Sequence, residues 1–390
     1  MRAFRHLAAP LRLFHGDGCL AALGPELDRV GSRRAVVFCG ASLARQTAVM
    51  DAIRDAMGER FAGLHDLVVA HSPLDRVLEG TEFLRRTGAD AVLAVGGGSA
   101  VVTARAASIL LAEGRDARAL STARGADGRL HSPRLLKPKL PQLVLPTTPT
   151  TATVKAGSAI LDPHSGGRLA LFDPNTRAKA VFIDAGLLAT PPAALVTSAS
   201  LNTLAMAVEG LLSRSGDAFS DGLLIHALRL LALNAPLLRT KDSVAVRSEL
   251  MMASLLCGHG TDFTGAGIAI PLGHAISARF QVDNGLANAI VLPSVLRFNA
   301  AHAAAGLQKL GTALDVPLHG LPPEATAEAL VDRLLQVLAP FGVPRRLRDI
   351  GVTQASLGSL AEVSADDWFA RDNPRVASAA ELADVLGQAW

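Results

Sequence analysis

Short apolar runs alternate with amphipathic stretches through the first half of the chain. Ala35–Cys39 (AVVFC), Ala91–Val95 (AVLAV), Gln142–Leu145 (QLVL) and Ala180–Ile183 (AVFI) are nearly continuous in apolar character. That pattern predicts strands of a parallel sheet covered on both faces. Helical periodicity over 42–58 and 75–87 separates the first two runs, giving the strand–helix–strand order of a doubly wound α/β fold. After about Pro191 the texture changes. Ala/Leu-rich segments at 192–213, 217–234, 243–257, 265–278, 286–305 and 325–340 carry helical spacing and almost no strand signal.

The expected architecture is therefore an α/β nucleotide-binding-like domain over residues 1–187, followed by an all-helical domain over 188–390. Asp184 and Pro191-Pro192 interrupt the pattern at the junction. Residues 112–141, rich in Arg, Gly, Pro and Lys, read as an exposed excursion before the Gln142 strand. Ser220-Asp221 is expected to cap the following helix, which should stop before Pro236. Asp162–Gly167 and Asp173-Pro174-Asn175 read as turns.

Composition narrows the function classes. Of 390 residues 49% are hydrophobic, 19% are charged and 4% aromatic, and the net charge is +3. No basic stripe with interleaved aromatics is visible, so nucleic acid is not an expected partner. The chain contains no tyrosine, which excludes a phenol as general acid. Cys19, Cys39 and Cys257 form no C-x-x-C pair and no disulfide framework. No run of 18 apolar residues suggests a membrane span, and no apolar h-region follows Met1–His6. A soluble, cytoplasmic protein is the expectation.

Two loops carry candidate chemistry. Gly96, Gly97, Gly98 and Ser99 follow an apolar strand and open an Ala-rich helix over Val101–Ala112. Such a turn lets backbone amides and a helix N-terminus approach a pyrophosphate, and serves equally as a tight turn with no ligand. A hydroxyl-rich loop, Thr147–Thr153, follows another strand; Thr147, Thr148 and Thr151 are the candidates to line a nucleotide cleft.

Taken in order, Phe14-His15-Gly16-Asp17-Gly18, Gly96–Ser99, Leu145-Pro146-Thr147-Thr148, Asn288–Pro293 and Phe298-Asn299 resemble the iron-containing alcohol dehydrogenase family, of dehydroquinate-synthase-like fold. The flavour is that of its maleylacetate reductase branch. The resemblance implies a dinucleotide, NAD(P), and a metal bound by one Asp and three His of the helical domain. It places Asn202 at the Asp position, Met206 at the first His, His274 at the next and Asn284 at the last. Iron(II) and zinc favour imidazole and carboxylate, so a degenerate site holding neither iron nor zinc is expected. On the nucleotide side the comparison puts Val102 and Arg105 where Asp and Lys are usual, and Thr150–Val154 where Gly-Thr-Gly-Ser-Glu is usual. Added β-carbons there narrow the cofactor pocket. Gly40 stands near the position of an Asp in NAD-preferring members, so NADP is as well accommodated as NAD.

Without a metal, imidazole, ammonium and amide groups must carry the chemistry. His274 can donate or accept a proton. Lys155, which follows the threonine loop, can hold a carboxylate or donate a proton. Asn202 and Asn284 offer amide donors and acceptors. His259 and Asp262, in a glycine-rich stretch between helical segments, can form an acid–base pair or merely terminate a helix. The leading expectation is metal-independent hydride transfer between NAD(P)H and a small carbonyl or alcohol substrate, by a homodimer. The alternatives are a non-redox reaction in a specialised biosynthetic pathway, such as elimination, condensation or cyclisation, or a non-catalytic homologue.

Overall fold

The computed structural model describes all residues except 1–3, 5, 7, 8, 115, 126–129, 165, 166 and 366. Most of the Met1–His6 segment, part of the 112–141 excursion and Ser165-Gly166 of the expected turn therefore lie outside the described residues. The strands are β1 (Arg12–His15), β2 (Ala35–Phe38), β3 (Phe61–His65), β4 (Ala91–Gly96), β5 (Ala123–Arg124), β6 (Leu130–His131), β7 (Gln142–Pro146), β8 (Gly157–Leu161), β9 (Arg168–Phe172) and β10 (Ala180–Ile183). Among them run helices α1 (Leu23–Arg29), α2 (Ala41–Ala44), α3 (Thr47–Met57), α4 (Leu74–Thr87), α5 (Gly98–Glu113) and α6 (Ala185–Ala189). The helical part comprises α7 (Ala193–Leu212), α8 (Ala218–Asn234), α9 (Val244–Thr264), α10 (Ala269–Phe280), α11 (Asn284–Asn299), α12 (Ala304–Leu314), α13 (Pro323–Leu338), α14 (Leu357–Ala365) and α15 (Ala379–Ala389).

Six strands form one parallel sheet in the order β1-β10-β7-β4-β2-β3. Every residue of the four inner strands is buried, which is why they read as unbroken apolar runs. The edge strands β1 and β3 are partly exposed and carry no such run. β8 and β9 pair separately as an antiparallel hairpin, and β5 pairs with β6. This is a doubly wound α/β unit with an all-helical unit after it, the dehydroquinate-synthase-like arrangement.

Residues 8–191 form one compact unit, and residues 192–390 with the N-terminal few form the other. His6 explains that last membership: its ring stacks on Phe263 at 3.7 Å and lies 4.3 Å from Phe219, both in the helical unit. Within that unit α7 packs against α8, α9, α10 and α11. Glycines permit the closest approaches. A Cβ at Gly260 would lie 2.6 Å from Leu224 Cγ, and one at Gly210 would lie 2.9 Å from Leu224 Cδ1.

Several local expectations change. The cap of α8 is Asp217, which accepts from the Phe219 and Ser220 amides, not Ser220-Asp221. The helix does stop at Asn234, before Pro236. The glycine-rich stretch at 257–262 lies inside α9, where Gly260 serves helix packing and not termination. The 286–305 segment breaks at Asn299, after which α12 begins. The 42–58 stretch divides into α2 and α3. Among the described residues two helical stretches, 193–212 and 218–239, are long and apolar enough to cross a membrane; the first has 72% of its apolar window buried inside the protein and the second 33%. Cys19, Cys39 and Cys257 are reduced, and Cys257 Sγ donates to Thr203 O at 3.6 Å.

Gly260→Ala forces a methyl into Leu224, so it should lower stability by about 2 kcal/mol, as overpacking does. Urea unfolding checks this; an unchanged midpoint would mean that α8 and α9 separate freely.

Candidate functional site

In the α/β unit, β4 ends at Gly96, whose φ of +138° suits glycine, and Gly97 precedes α5 without any side-chain cap. The helix thus begins at Gly98, three residues before the expected Val101, and its first amides have no intrahelical partner. The loop after β7 runs against this turn: Thr147 N donates to Gly96 O at 3.0 Å. A Cβ at Gly97 would stand 2.9 Å from Thr148 Oγ1, and one at Gly98 would stand 2.9 Å from Thr150 Oγ1. The glycines are therefore needed for this close approach. Thr147, Thr148 and Thr151 are buried, while Gly97, Gly98 and Ser99 remain half-buried. A half-open helix N-terminus ringed by hydroxyls is suited to an anion such as a phosphate.

Arg105 does something other than expected. Its side chain is fully buried on α5 and donates from Nη1 to Gly157 O at 2.7 Å and from Nη2 to Ala152 O at 2.8 Å. It therefore ties the threonine loop and β8 to α5. Thr150 Oγ1 caps the following short turn by accepting from Ala152 N at 3.3 Å. Lys155 lies half-buried just beyond that turn, in the same unit.

In the helical unit, the residues expected at the metal positions come together on three helices. Asn202 and Met206 lie one turn apart on α7, His274 lies on α10, and Asn284 is the first residue of α11. Met206 is 4% exposed and belongs to the apolar core, whereas Asn202 is half-buried. Gly285 presses α11 onto α7, since a Cβ there would lie 1.9 Å from Ser198 O and 3.1 Å from Asn202 N. Asn284 is thus set beside the Asn202 turn. His274 is half-buried, with its ring 5.8 Å from that of Phe369. His259 and Asp262 are half-buried on α9, which packs on α8 and α7.

A residue the sequence reading quoted only as part of a motif sits at the centre of this cluster. Asn288 is fully buried on α11, one turn after Asn284, and donates from Nδ2 to Asn202 Oδ1 at 2.9 Å. Its Oδ1 packs against Gly273, where a Cβ would be only 1.7 Å away. The i, i+4 spacing of Asn284 and Asn288 was the available signal. Glu209 is a second such residue. Two turns along α7 from Asn202, its carboxylate accepts from the amides of Gly267 (3.0 Å), Ala269 (2.5 Å) and Ile270 (3.3 Å), so it caps the start of α10. Burial pushes its pKa up to about 7, against the pull of those amides.

The model of iron-containing alcohol dehydrogenases matches residues 10–185, and that of the family's C-terminal domain matches residues 196–390. The chain belongs to the iron-containing alcohol dehydrogenase family. Lactaldehyde reductase of Escherichia coli (strain K12) is 29% identical over 384 residues, which are 96% of this chain and 97% of that one. The crystal structure of a 1,3-propanediol oxidoreductase is 23% identical over the whole of both chains, with a TM-score of 0.89. Maleylacetate reductase from Agrobacterium tumefaciens, also 23% identical, covers 100% of this chain and 99% of its own with a TM-score of 0.77.

At the positions where the family resemblance puts metal ligands stand Asn202, Met206, His274 and Asn284. Asn202 Oδ1 is engaged by Asn288, Met206 is packed in the core, and Asn284 offers a neutral amide. Glu209, the carboxylate on the same helix, is committed to three backbone amides. Among the described residues no three or more His, Cys, Asp or Glu gather where they could hold a metal. One imidazole with neutral amides supplies neither the charge nor the softness those ions prefer.

Glu209 gives this unit a pH dependence. Its folded pKa of about 7 lies above the ordinary 4.5, so the unfolded chain releases the proton first. Stability should therefore fall as pH rises from about 4.5 to about 7, then level off, with a slope approaching 1.4 kcal/mol per pH unit from this group. Melting curves of the wild type and Glu209→Gln across that range check it. The variant should lose this part of the slope, and an identical slope in both would contradict the assignment.

Proposed function

We propose that this family member transfers a hydride between NAD(P)H and a small carbonyl or alcohol substrate without a divalent metal at the α7–α10–α11 cluster. The observation that carries the cofactor half is the uncapped N-terminus of α5 behind Gly96–Gly98, faced by Thr148. The amides of Gly98 and Ser99 and the hydroxyls of Thr147, Thr148 and Thr151 would hold the pyrophosphate. Bound there, the cofactor supplies the hydride that reduces the carbonyl carbon. Gly40 follows β2 without a carboxylate, so a 2′-phosphate meets no repulsion from that position.

The metal-free half rests on the donor set of Asn202, Met206, His274 and Asn284. His274 is the group that delivers a proton to the substrate oxygen as the alcohol forms. Lys155, in the α/β unit just beyond the threonine loop, is the second candidate to hold an anionic group. The family membership and the absence of disulfides among the three cysteines fit a cytoplasmic enzyme, with a homodimer as its proposed assembly. One observation favours a non-redox second reading: Thr150 crowds Gly98, narrowing the approach to the turn.

Calorimetry with NADH and NADPH, followed by aldehyde-dependent loss of their absorbance, separates the two. We expect binding of at least one cofactor and its oxidation by small aldehydes. Gly97→Val, which drives a side chain into Thr148, should weaken cofactor binding by at least about tenfold, the effect of about 1.4 kcal/mol. Absence of binding for both cofactors would overturn the proposal and favour the non-redox reading.

A further inference from the structure

We propose that the side-chain amide of Asn202 is the hydrogen-bond donor to the substrate's carbonyl oxygen, and that Asn288 is the positioning residue that sets its direction. This rests on the carbonyl-reducing reading above. It goes further by naming the group that polarises the carbonyl.

An asparagine amide has a donor end and an acceptor end, and a neighbour decides which end points where. Asn288 makes that decision here. It is fully buried, and Nδ2 donates to Asn202 Oδ1 at 2.9 Å. Asn202 thereby turns its acceptor inward to α11 and its Nδ2 the other way. Among the described residues Nδ2 of Asn202 has no protein acceptor. Asn202 is half-buried, whereas Thr203, Leu204 and Met206 after it on α7 are buried, so its outer end is the accessible one.

The arrangement is braced on both sides. Asn288 cannot retreat toward α10, because its Oδ1 already fills the space of a Gly273 β-carbon at 1.7 Å. Asn202 cannot shift along α7, because Gly285 of α11 lies against Ser198 O and Asn202 N. A donor held in this way costs little reorganisation when negative charge develops on an oxygen beside it. The position that the family resemblance gives to an anionic metal ligand thus becomes a neutral donor. The ligand it fits is an oxygen acceptor, a carbonyl or a developing alkoxide, and not a cation.

Two substitutions of equal size test this, with a chelator present throughout. Asn202→Asp keeps the acceptor for Asn288 Nδ2 but replaces the outward donor by a charged acceptor. Asn288→Asp draws Asn202 Nδ2 inward and turns its Oδ1 outward. Three readouts are taken: melting temperature, kcat and KM for acetaldehyde reduction, and inhibition by acetamide, an unreactive carbonyl compound. We expect Asn202→Asp to melt like the wild type, to bind NAD(P)H unchanged, and to lose about 10²- to 10³-fold in kcat/KM. Acetamide inhibition should weaken by at least about tenfold in parallel, about the loss of one hydrogen bond. Asn288→Asp should show the same losses; if its buried carboxylate prevents folding, Asn202→Asp decides alone. A wild-type rate and acetamide affinity in Asn202→Asp would overturn the inference while carbonyl reduction stands. A wild type that reduces no aldehyde yet binds acetamide through Asn202 would instead overturn the hydride-transfer reading and leave the donor assignment intact.

Discussion

The helical unit depends on one side chain occupying the space of a β-carbon that glycine lacks. Asn288 fills the position beside Gly273 and bonds to Asn202, so one buried amide of α11 touches both α10 and α7. An amide buried this deeply is stabilising only when its partner is present and correctly oriented. The same contact therefore sets packing and chemistry together. Met206, one turn from Asn202, joins the apolar core, and Glu209, a little further along α7, fixes the N-terminus of α10. A helix that in the family resemblance presents metal ligands is here built from groups that bond to the protein itself.

The α/β unit shows the corresponding economy on the nucleotide side. Gly97 and Gly98 admit the threonine loop to the start of α5, and Thr147 zips that loop to the turn. Arg105, fully buried, holds the far end of the loop through two carbonyls. The anion-binding character of the turn then comes from unpaired backbone amides and the helix dipole, with no charged side chain required.

The parallel sheet was legible in the sequence because its inner strands are buried on both faces and leave unbroken apolar runs. The edge strands β1 and β3, half-exposed, leave none and were invisible to periodicity. The positions of Asn202, His274 and Asn284 came from spacing within a recognised motif order, and the structure groups them on three adjoining helices. The stretch around His259 and Asp262 reads as lying between helices because of its glycines, yet it runs inside α9, where close packing of Gly260 on Leu224 outweighs the low helix propensity of glycine. Arg105 stands in the sequence only at a position where the family resemblance has Lys, and its carbonyl partners lie some fifty residues away in sequence, beyond any local pattern. Asn288 was hidden for a similar reason: its partner Asn202 is on another helix, and only the fold brings them together.

On the reading proposed above, amides and not a divalent ion organise the α7–α10–α11 cluster. Elemental analysis of the purified protein, paired with turnover before and after exhaustive chelation, tests it most directly. We expect far less than one equivalent of iron or zinc per chain and a rate that chelation leaves unchanged. A stoichiometric ion whose removal abolishes turnover, and whose return restores it, would contradict the account.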